Sequence, residues 1–448
     1  MRQAPEPFTR HKAGRGILFY AQQQILVRMG SLKAGLAKAV ITPPVGTKLC
    51  GYSARTQPST GVLDDLYAKA LVLDDGETRL ALVVCDLLWV GRQLASDVRK
   101  KVRKQSGIRE ENVMVTAIHT HYGPDIEQAD KSYIENVESQ AAGAVAAACN
   151  RVKNARVGFA AGECRVGMNR RNPQSSYKPY FLYSWPQGVI DPSVTVARIE
   201  DEARRVMGVL VNYACHPVTL GPNELNISRD YPGHALRVLE DVFGEDTVAM
   251  FVNGCCANIN PAWVFDRPDV SPPPPPVFPE STEERVRETR RLGQILGGEA
   301  LKTLQSVTNL TSEANMKAEQ SSVSLPIRKD IPKDLSHWIR RTKVGEKDYL
   351  TRQRLAKKTI TTEVQAFRLS DAAILGLPSE VFVEFQLEIK RESPLKHTFV
   401  SELANDSIGY VPTAEAFKEG GYEPTVSVFT PDAGSKLAQA AIGLLRKL

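Results

Sequence analysis

Two histidines stand two residues apart in Ile118-His119-Thr120-His121-Tyr122-Gly123-Pro124, directly after the β-branched and apolar run Asn112–Ile118. In extended chain, side chains at i and i+2 share a face, so both imidazoles can address one cavity. Histidine is the commonest metal ligand and a frequent general base. Two loop histidines without a chemical task would give the same pattern. A third histidine follows the same grammar, because the strand-like Val206–Tyr213 runs into Ala214-Cys215-His216-Pro217.

Carboxylates and amides stand at comparable places. Ser228-Arg229-Asp230 opens a helix, where Asp230 serves either as its N-cap or as a carboxylate that orients a ligand histidine. Phe251–Pro261 is a third strand end, whose Asn258 and Asn260 suit polar contacts with a ligand. The vicinal Cys255-Cys256 within it is poorly built to chelate one ion. Glu380, after Pro378-Ser379, reads as a first-turn acid that complements a helix dipole. Tyr410 follows Asn405-Asp406 just past another strand. Asp86 sits in an apolar run, where burial without a partner is costly, so it is expected to be hydrogen-bonded.

The elements that must position these residues are readable from periodicity. Strands are expected at 33–41, Ala70–Leu73, Arg79–Cys85, Asn112–Ile118, Val194–Ile199, Val206–Tyr213, Thr247–Val252, Ser321–Leu325, Thr361–Leu369, Ala372–Leu377 and Thr398–Leu403. Helices are expected at Leu94–Gln105, Asp130–Asn150, Tyr231–Phe243, Ser281–Leu304 (with Gly297-Gly298 a weak point), Pro332–Lys358, Glu380–Lys390 and Lys436–Leu448. Strand–helix alternation predicts an α/β fold, one large domain with a mixed or parallel sheet flanked by helices. Ligands in such folds bind at the carboxyl ends of strands, where the histidines fall. Five consecutive prolines, Pro272–Pro276, make 262–280 a surface loop or polyproline spacer.

Composition narrows the class. Hydrophobic residues at 42% and charged ones at 24% exclude a wholly disordered or fibrous chain. The longest apolar stretch, Leu80–Val90, contains Asp86 and is far short of the ~20 residues of a membrane span. Of the net charge of +6, four charges come from residues 1–30, with Arg2, Arg10, Lys12, Arg15 and Arg28 against Glu6. Residues 1–30 read as an extension or disordered tail, because Gln22-Gln23-Gln24 interrupts any signal-peptide core. No basic face with interleaved aromatics marks a nucleic-acid binder. Seven irregularly spaced cysteines without a CxxC pair point to free thiols and a cytoplasmic protein.

Taken in order, these segments resemble the catalytic domain of the neutral/alkaline ceramidase family. The resemblance runs through Ala39–Gly46, Leu49-Cys50-Gly51-Tyr52, Cys85-Asp86-Leu87 and His119–Pro124. It continues through Met168-Asn169-Arg170-Arg171, Asp191-Pro192, Cys215-His216-Pro217, Ser228-Arg229-Asp230, Gly254–Pro261, Leu377–Glu380 and Gly409–Thr413. It covers about residues 32–448. The resemblance implies one Zn²⁺ per chain, held by His119, His216, Glu380 and Tyr410, and hydrolysis of an N-acyl amide. It makes His121, beside the metal, a proton carrier and Arg170 a substrate contact, with Tyr410 also catalytic. Tyr122, Asn258 and Asn260 would line the substrate pocket, and Asp86 and Asp230 would stand behind the ligand histidines. Zinc in such a site keeps a position for water and lowers its pKa to about 7.

The departures shape the expected substrate. The family's Gly-Asp-x-Ser-Pro-Asn segment reads Ala257-Asn258-Ile259-Asn260-Pro261, and Ser407 stands where the family has the first of two tyrosines. The ceramidases' C-terminal β-sandwich is not expected. These departures favour a small, polar acyl or amide metabolite over ceramide, with no nucleic acid or membrane span as partner and a homo-oligomer left open. Two other readings remain: a zinc-dependent acyl-transfer cyclase that forms or opens a lactam, lactone or imide ring, and a catalytically silent binding protein.

Overall fold

The computed structural model describes residues 30–52, 55–173, 182–262, 279, 281–329 and 358–448. Residues 1–29, the Pro272–Pro276 run and the helix expected over 332–358, its last residue excepted, lie outside the described residues.

Connection length decides strand direction. The strands β1 (Lys33–Val40), β2 (Tyr67–Asp74) and β3 (Arg79–Cys85) are mutually antiparallel neighbours. The β2–β3 turn is held by Asp75 Oδ1, which accepts from the backbone of Glu77 and Thr78 at 3.0 and 2.7 Å. A parallel partner needs a long crossover, and α1 (Arg92–Ser106) supplies it between β3 and β4 (Val113–Ala117). After α2 (Lys131–Cys149) come β5 (Lys153–Glu163), β6 (Ser193–Asp201) and β7 (Val206–Tyr213), again antiparallel. A second crossover, α3 (Asp230–Phe243), places β8 (Val248–Asn253) parallel to β7. The eight strands form one sheet in the order β8-β7-β6-β5-β1-β2-β3-β4. The sheet is thus mixed, with parallel pairs only at its two edges. The strand–helix rhythm overstated the parallel share because it weighed helices and passed over the short turns.

Beyond α4 (Thr282–Gln305) the chain builds β9 (Met316–Pro326), β10 (Thr359–Leu369), β11 (Ala372–Gly376), β12 (Glu380–Val381), α5 (Val383–Glu392), β13 (His397–Ser401), β14 (Tyr410–Val411) and α6 (Ala433–Leu445). A second sheet has the order β9-β10-β11-β13, while β12 and β14 pair only with each other. Alternation of side chains sorts the layers. Leu71, Leu73, Ala197, Ile199 and Leu210 of the large sheet face Ile374 and Phe399 of the small one. Their neighbours Ala70, Val72, Ala81 and Val83 pack instead on α1 and α2. Ala373 and Leu375 turn outward to Leu437 and Ala441 of α6. The result is helices, sheet, sheet, helices.

Two helix expectations are corrected. The helix expected from Glu380 starts at Val383, because Glu380 is taken into β12 and Asn258 Oδ1 accepts the Val383 N–H at 2.9 Å. The supposed weak point in α4 is a contact requirement: a Cβ on Gly297 would lie 2.7 Å from the Ala235 carbonyl of α3. Only glycine lets the two helices approach so closely.

Candidate metal centre

The edge strands β4 and β8 stand at opposite ends of the sheet order, yet the sheet coils until they touch. The segment after β13 ties them together. Thr116 of β4 shares a 2.7 Å hydrogen bond with Ser401, and the Glu402 N–H donates to the Asn253 carbonyl of β8 at 3.0 Å. The loops past β4 and β7 therefore converge, and the rings of His119 and His216 lie 4.8 Å apart. His121 joins them, 5.0 Å from His119 and 5.6 Å from His216. His119 has φ 70°, a backbone conformation rare for a residue with a side chain. Such strain is typical of positions held in place for function.

Glu380 completes the group. Its Oε2 is 3.4 Å from Nε2 of both His119 and His216. Tyr410 is its registered neighbour in the β12–β14 pair. Beyond these ion-pair distances, four members have buried polar atoms with no hydrogen-bond partner among the described residues: His119 Nε2, His216 Nε2, both ring nitrogens of His121, and Glu380 Oε2. The other nitrogen of each outer histidine is fixed by backbone: His119 Nδ1 bonds the Leu88 carbonyl at 2.8 Å, and His216 Nδ1 the Cys256 carbonyl at 2.6 Å. With Nδ1 as the donor, Nε2 is a lone pair aimed at the centre.

The electrostatics divide the imidazoles: burial lowers His119 but Glu380 outweighs it and raises it above its ordinary value. Burial pushes His216 down to about 4, helped by Arg170. Burial likewise holds His121 well below its usual range, with His119 and His216 adding to it. Burial alone would raise Glu380, but the two histidines outweigh it and keep it ionised. A nitrogen of each of the three histidines lies within 4.8 Å of the others, so His121 stands directly beside the pair.

The second tier differs from the sequence expectation. Neither Asp86 nor Asp230 hydrogen-bonds a histidine, and carbonyls occupy that place. Asp86, fully buried, accepts the Tyr67 N–H at 2.8 Å. Asp230 is the first residue of α3, not its cap; at φ 58° its carboxylate turns back to the Leu220 N–H at 3.2 Å. Asn258 is buried structural support, donating to Glu384 at 2.9 Å and capping α5. Tyr122 is likewise buried, its hydroxyl donating to the Gly221 carbonyl at 3.1 Å. Asn260 receives Arg170 Nη1 at 3.2 Å, while Arg170 Nε binds Glu423 at 2.8 Å. The Arg170 guanidinium stands 5.9 Å from the rings of both Tyr410 and Tyr422.

Sequence reading missed Glu402 and Tyr422, and set Cys256 aside because adjacent cysteines rarely chelate one ion. Glu402 is fully buried, and its carboxylate meets Cys256 Sγ at 2.8 Å. Burial raises it to about 8. Together with His119 these two form a further donor group. The signal was present, since an acid directly ending an apolar strand repeats the pattern of Asp86. Tyr422, whose ring is 5.6 Å from Tyr410, gave no such signal.

The family model for "Neutral/alkaline non-lysosomal ceramidase, N-terminal" matches residues 32–264. The chain belongs to the neutral/alkaline ceramidase family. Neutral ceramidase of Pseudomonas aeruginosa is 22% identical over 89% of this chain and 69% of that protein. Neutral ceramidase of Drosophila pseudoobscura pseudoobscura is 24% identical over 50% of this chain. The chain spans 35% of the length of that Drosophila ceramidase. The crystal structure of the Pseudomonas ceramidase superposes with a TM-score of 0.73 at 20% identity, over 93% of this chain and 74% of that one. This shared ceramidase fold contains the mixed sheet and flanking helices described above. Among the described residues, no helix is long and apolar enough to cross a membrane.

Proposed function

We propose that the protein is a zinc-dependent hydrolase of an amide bond in a small N-acyl metabolite. One observation carries the reading. His119, His216, His121 and Glu380 bring buried, unpartnered nitrogen and oxygen atoms to one point. Orphaned buried polar atoms are costly, and one cation would satisfy His119 Nε2, His216 Nε2 and Glu380 Oε2 together. Nitrogen and oxygen donors in this number suit zinc. His119, His216, Glu380 and Tyr410 would hold it. Zinc supplies Lewis acidity and an activated water at neutral pH.

The protein's own groups then have distinct tasks. His121 is held neutral by burial, so it can accept a proton and pass it to the leaving amine. Arg170 is anchored by Glu423 and packs its cation beside Tyr410, so it keeps that phenol in place. Asn260, which takes the place of the family's serine and meets Arg170, supports a substrate other than ceramide. Seven cysteines outside any disulfide, six of them buried, support a reducing, cytoplasmic setting.

The test is elemental analysis of purified protein and of His119→Ala, with turnover of a panel of N-acyl amino acids, lactams and ceramide. One zinc per chain, lost with activity in the variant, is expected. Full activity without metal overturns the reading. Reaction in heavy-oxygen water separates hydrolysis, which labels the product acid, from ring-forming acyl transfer, which does not.

A further inference from the structure

Among the described residues, no carboxylate pairs with the buried guanidinium of Arg55. The residue keeps 8% of its surface exposed, and its Nη1 donates to two carbonyls, Cys50 at 3.0 Å and His121 at 2.8 Å. Nε and Nη2 have no partner among the described residues. The acid nearby, Glu224, is engaged elsewhere: it accepts from Arg285 at 2.8 Å and from the Asn226 backbone and side chain at 3.0 and 2.6 Å. Burial lowers the Arg55 pKa, the direction expected for a cation lacking a counter-charge.

Its position ties it to the metal centre. The guanidinium lies 4.7 Å from the Tyr52 ring and 5.3 Å from the Tyr122 ring. The Tyr52 ring is in turn 5.0 Å from that of His121. The charge therefore stands one side chain from the histidine cluster, held by aromatic faces that attract a cation. Because Nη1 is occupied, the N–H groups left over belong to Nε and Nη2. These lie along one edge of the plane, the edge that fits both oxygens of a carboxylate. A protein that buries a charge normally pairs it, and here no described residue supplies the second half of the pair.

We infer that Arg55 is a carboxylate subsite, so that the substrate is an amide carrying its own carboxylate, as in an N-acyl amino acid. The guanidinium edge grips the carboxylate at two points while the amide lies at the histidines. This rests on the amide-hydrolase reading for the reaction, but the recognition can be measured without it.

Calorimetric binding of N-hexanoylglycine and N-hexanoylglycinamide to the zinc-loaded protein, and to His119→Ala, tests it directly. Wild type should bind the acid about 30-fold or more tightly than the amide, as expected for a buried charge pair. Arg55→Gln should bind both alike, and Arg55→Lys, which keeps charge but not the fork, should fall between. Equal affinities in wild type, no binding of the acid at millimolar concentration, or a preference that survives in Arg55→Gln each overturns the inference. If Arg55→Gln does not fold, the wild-type ratio and Arg55→Lys decide. A carboxylate preference without turnover would refute the hydrolase reading alone, and turnover without preference would refute the subsite alone.

Discussion

Glu380 and Tyr410 lie directly opposite each other in a parallel pair of two-residue strands, tied by the Glu380 N–H to the Gly409 carbonyl at 3.1 Å. Registered residues of neighbouring strands project to the same face. A carboxylate and a phenol 30 positions apart therefore leave the backbone on one side, toward the histidines. Glu380→Ala is expected to abolish zinc retention. Tyr410→Phe should keep the fold and weaken zinc affinity by about 10–100-fold, a range seen when metal-site partners are removed. Competition with a chromogenic chelator measures both.

Gly51 fixes His121 from the other side. Its φ is +104°, and a Cβ there would fall 2.5 Å from His121 Nδ1. Gly51→Ala should displace the imidazole and reduce turnover at least about tenfold. Gly46→Ala is the control, because Gly46 has φ +96° with nothing within 4 Å. Both variants should lose about 1–2 kcal/mol to backbone strain, but only Gly51→Ala should lose activity.

Glu423 is a single buried acid serving two arginines, Arg170 at 2.8 Å and Arg171 at 2.7 Å. Removing it leaves buried positive charge uncompensated, which costs about 3–5 kcal/mol. Glu423→Gln should therefore shift the urea midpoint strongly downward. Glu419 binds Arg171 at 2.9 Å from a half-exposed position. Glu419→Gln should cost about 1 kcal/mol or less.

Asp230 gives a pH signature. Burial raises its carboxyl to about 6 from an ordinary 3.8. A group raised in the folded state contributes stability that is present below its unfolded pKa and lost as pH climbs through the folded one. Wild type should therefore lose stability between about pH 4 and 6 through this residue. Asp230→Asn, which tolerates the φ of 58°, should remove that loss. Its stability relative to wild type should rise by about 3 kcal/mol from pH 4 to 7 and then level off. Urea titrations at several pH values measure the difference.

Much of the fold was legible because it rests on local pattern. The β-branched runs of β3, β4 and β7 and the apolar spacing of Leu94, Val98 and Val102 in α1 read directly as buried elements. His119, His216 and Glu380 were legible as residues placed just past apolar strands. Less legible were strand direction and the second sheet, which depend on turns such as Asp75–Thr78 and on faces that meet only in three dimensions. The partners behind the histidines were missed for a related reason: backbone carbonyls fill the role, and every residue has one.

The sequence by itself determined which side chains could bind metal and which strand each one follows. Period and residue type are properties of a few neighbouring positions, and those carry the information. Tertiary structure alone decided that His119 and His216, past an edge strand and the next-to-last strand at the far end of an eight-stranded sheet, share one centre. That needs the sheet to coil and the segment 401–405 to bridge its edges, through long-range contacts that no local window contains. It also decided that Glu380 sits in a strand rather than a helix, since Tyr410 supplies the register. The same long-range packing left Arg55 enclosed beside the site, with no described carboxylate against its Nε and Nη2.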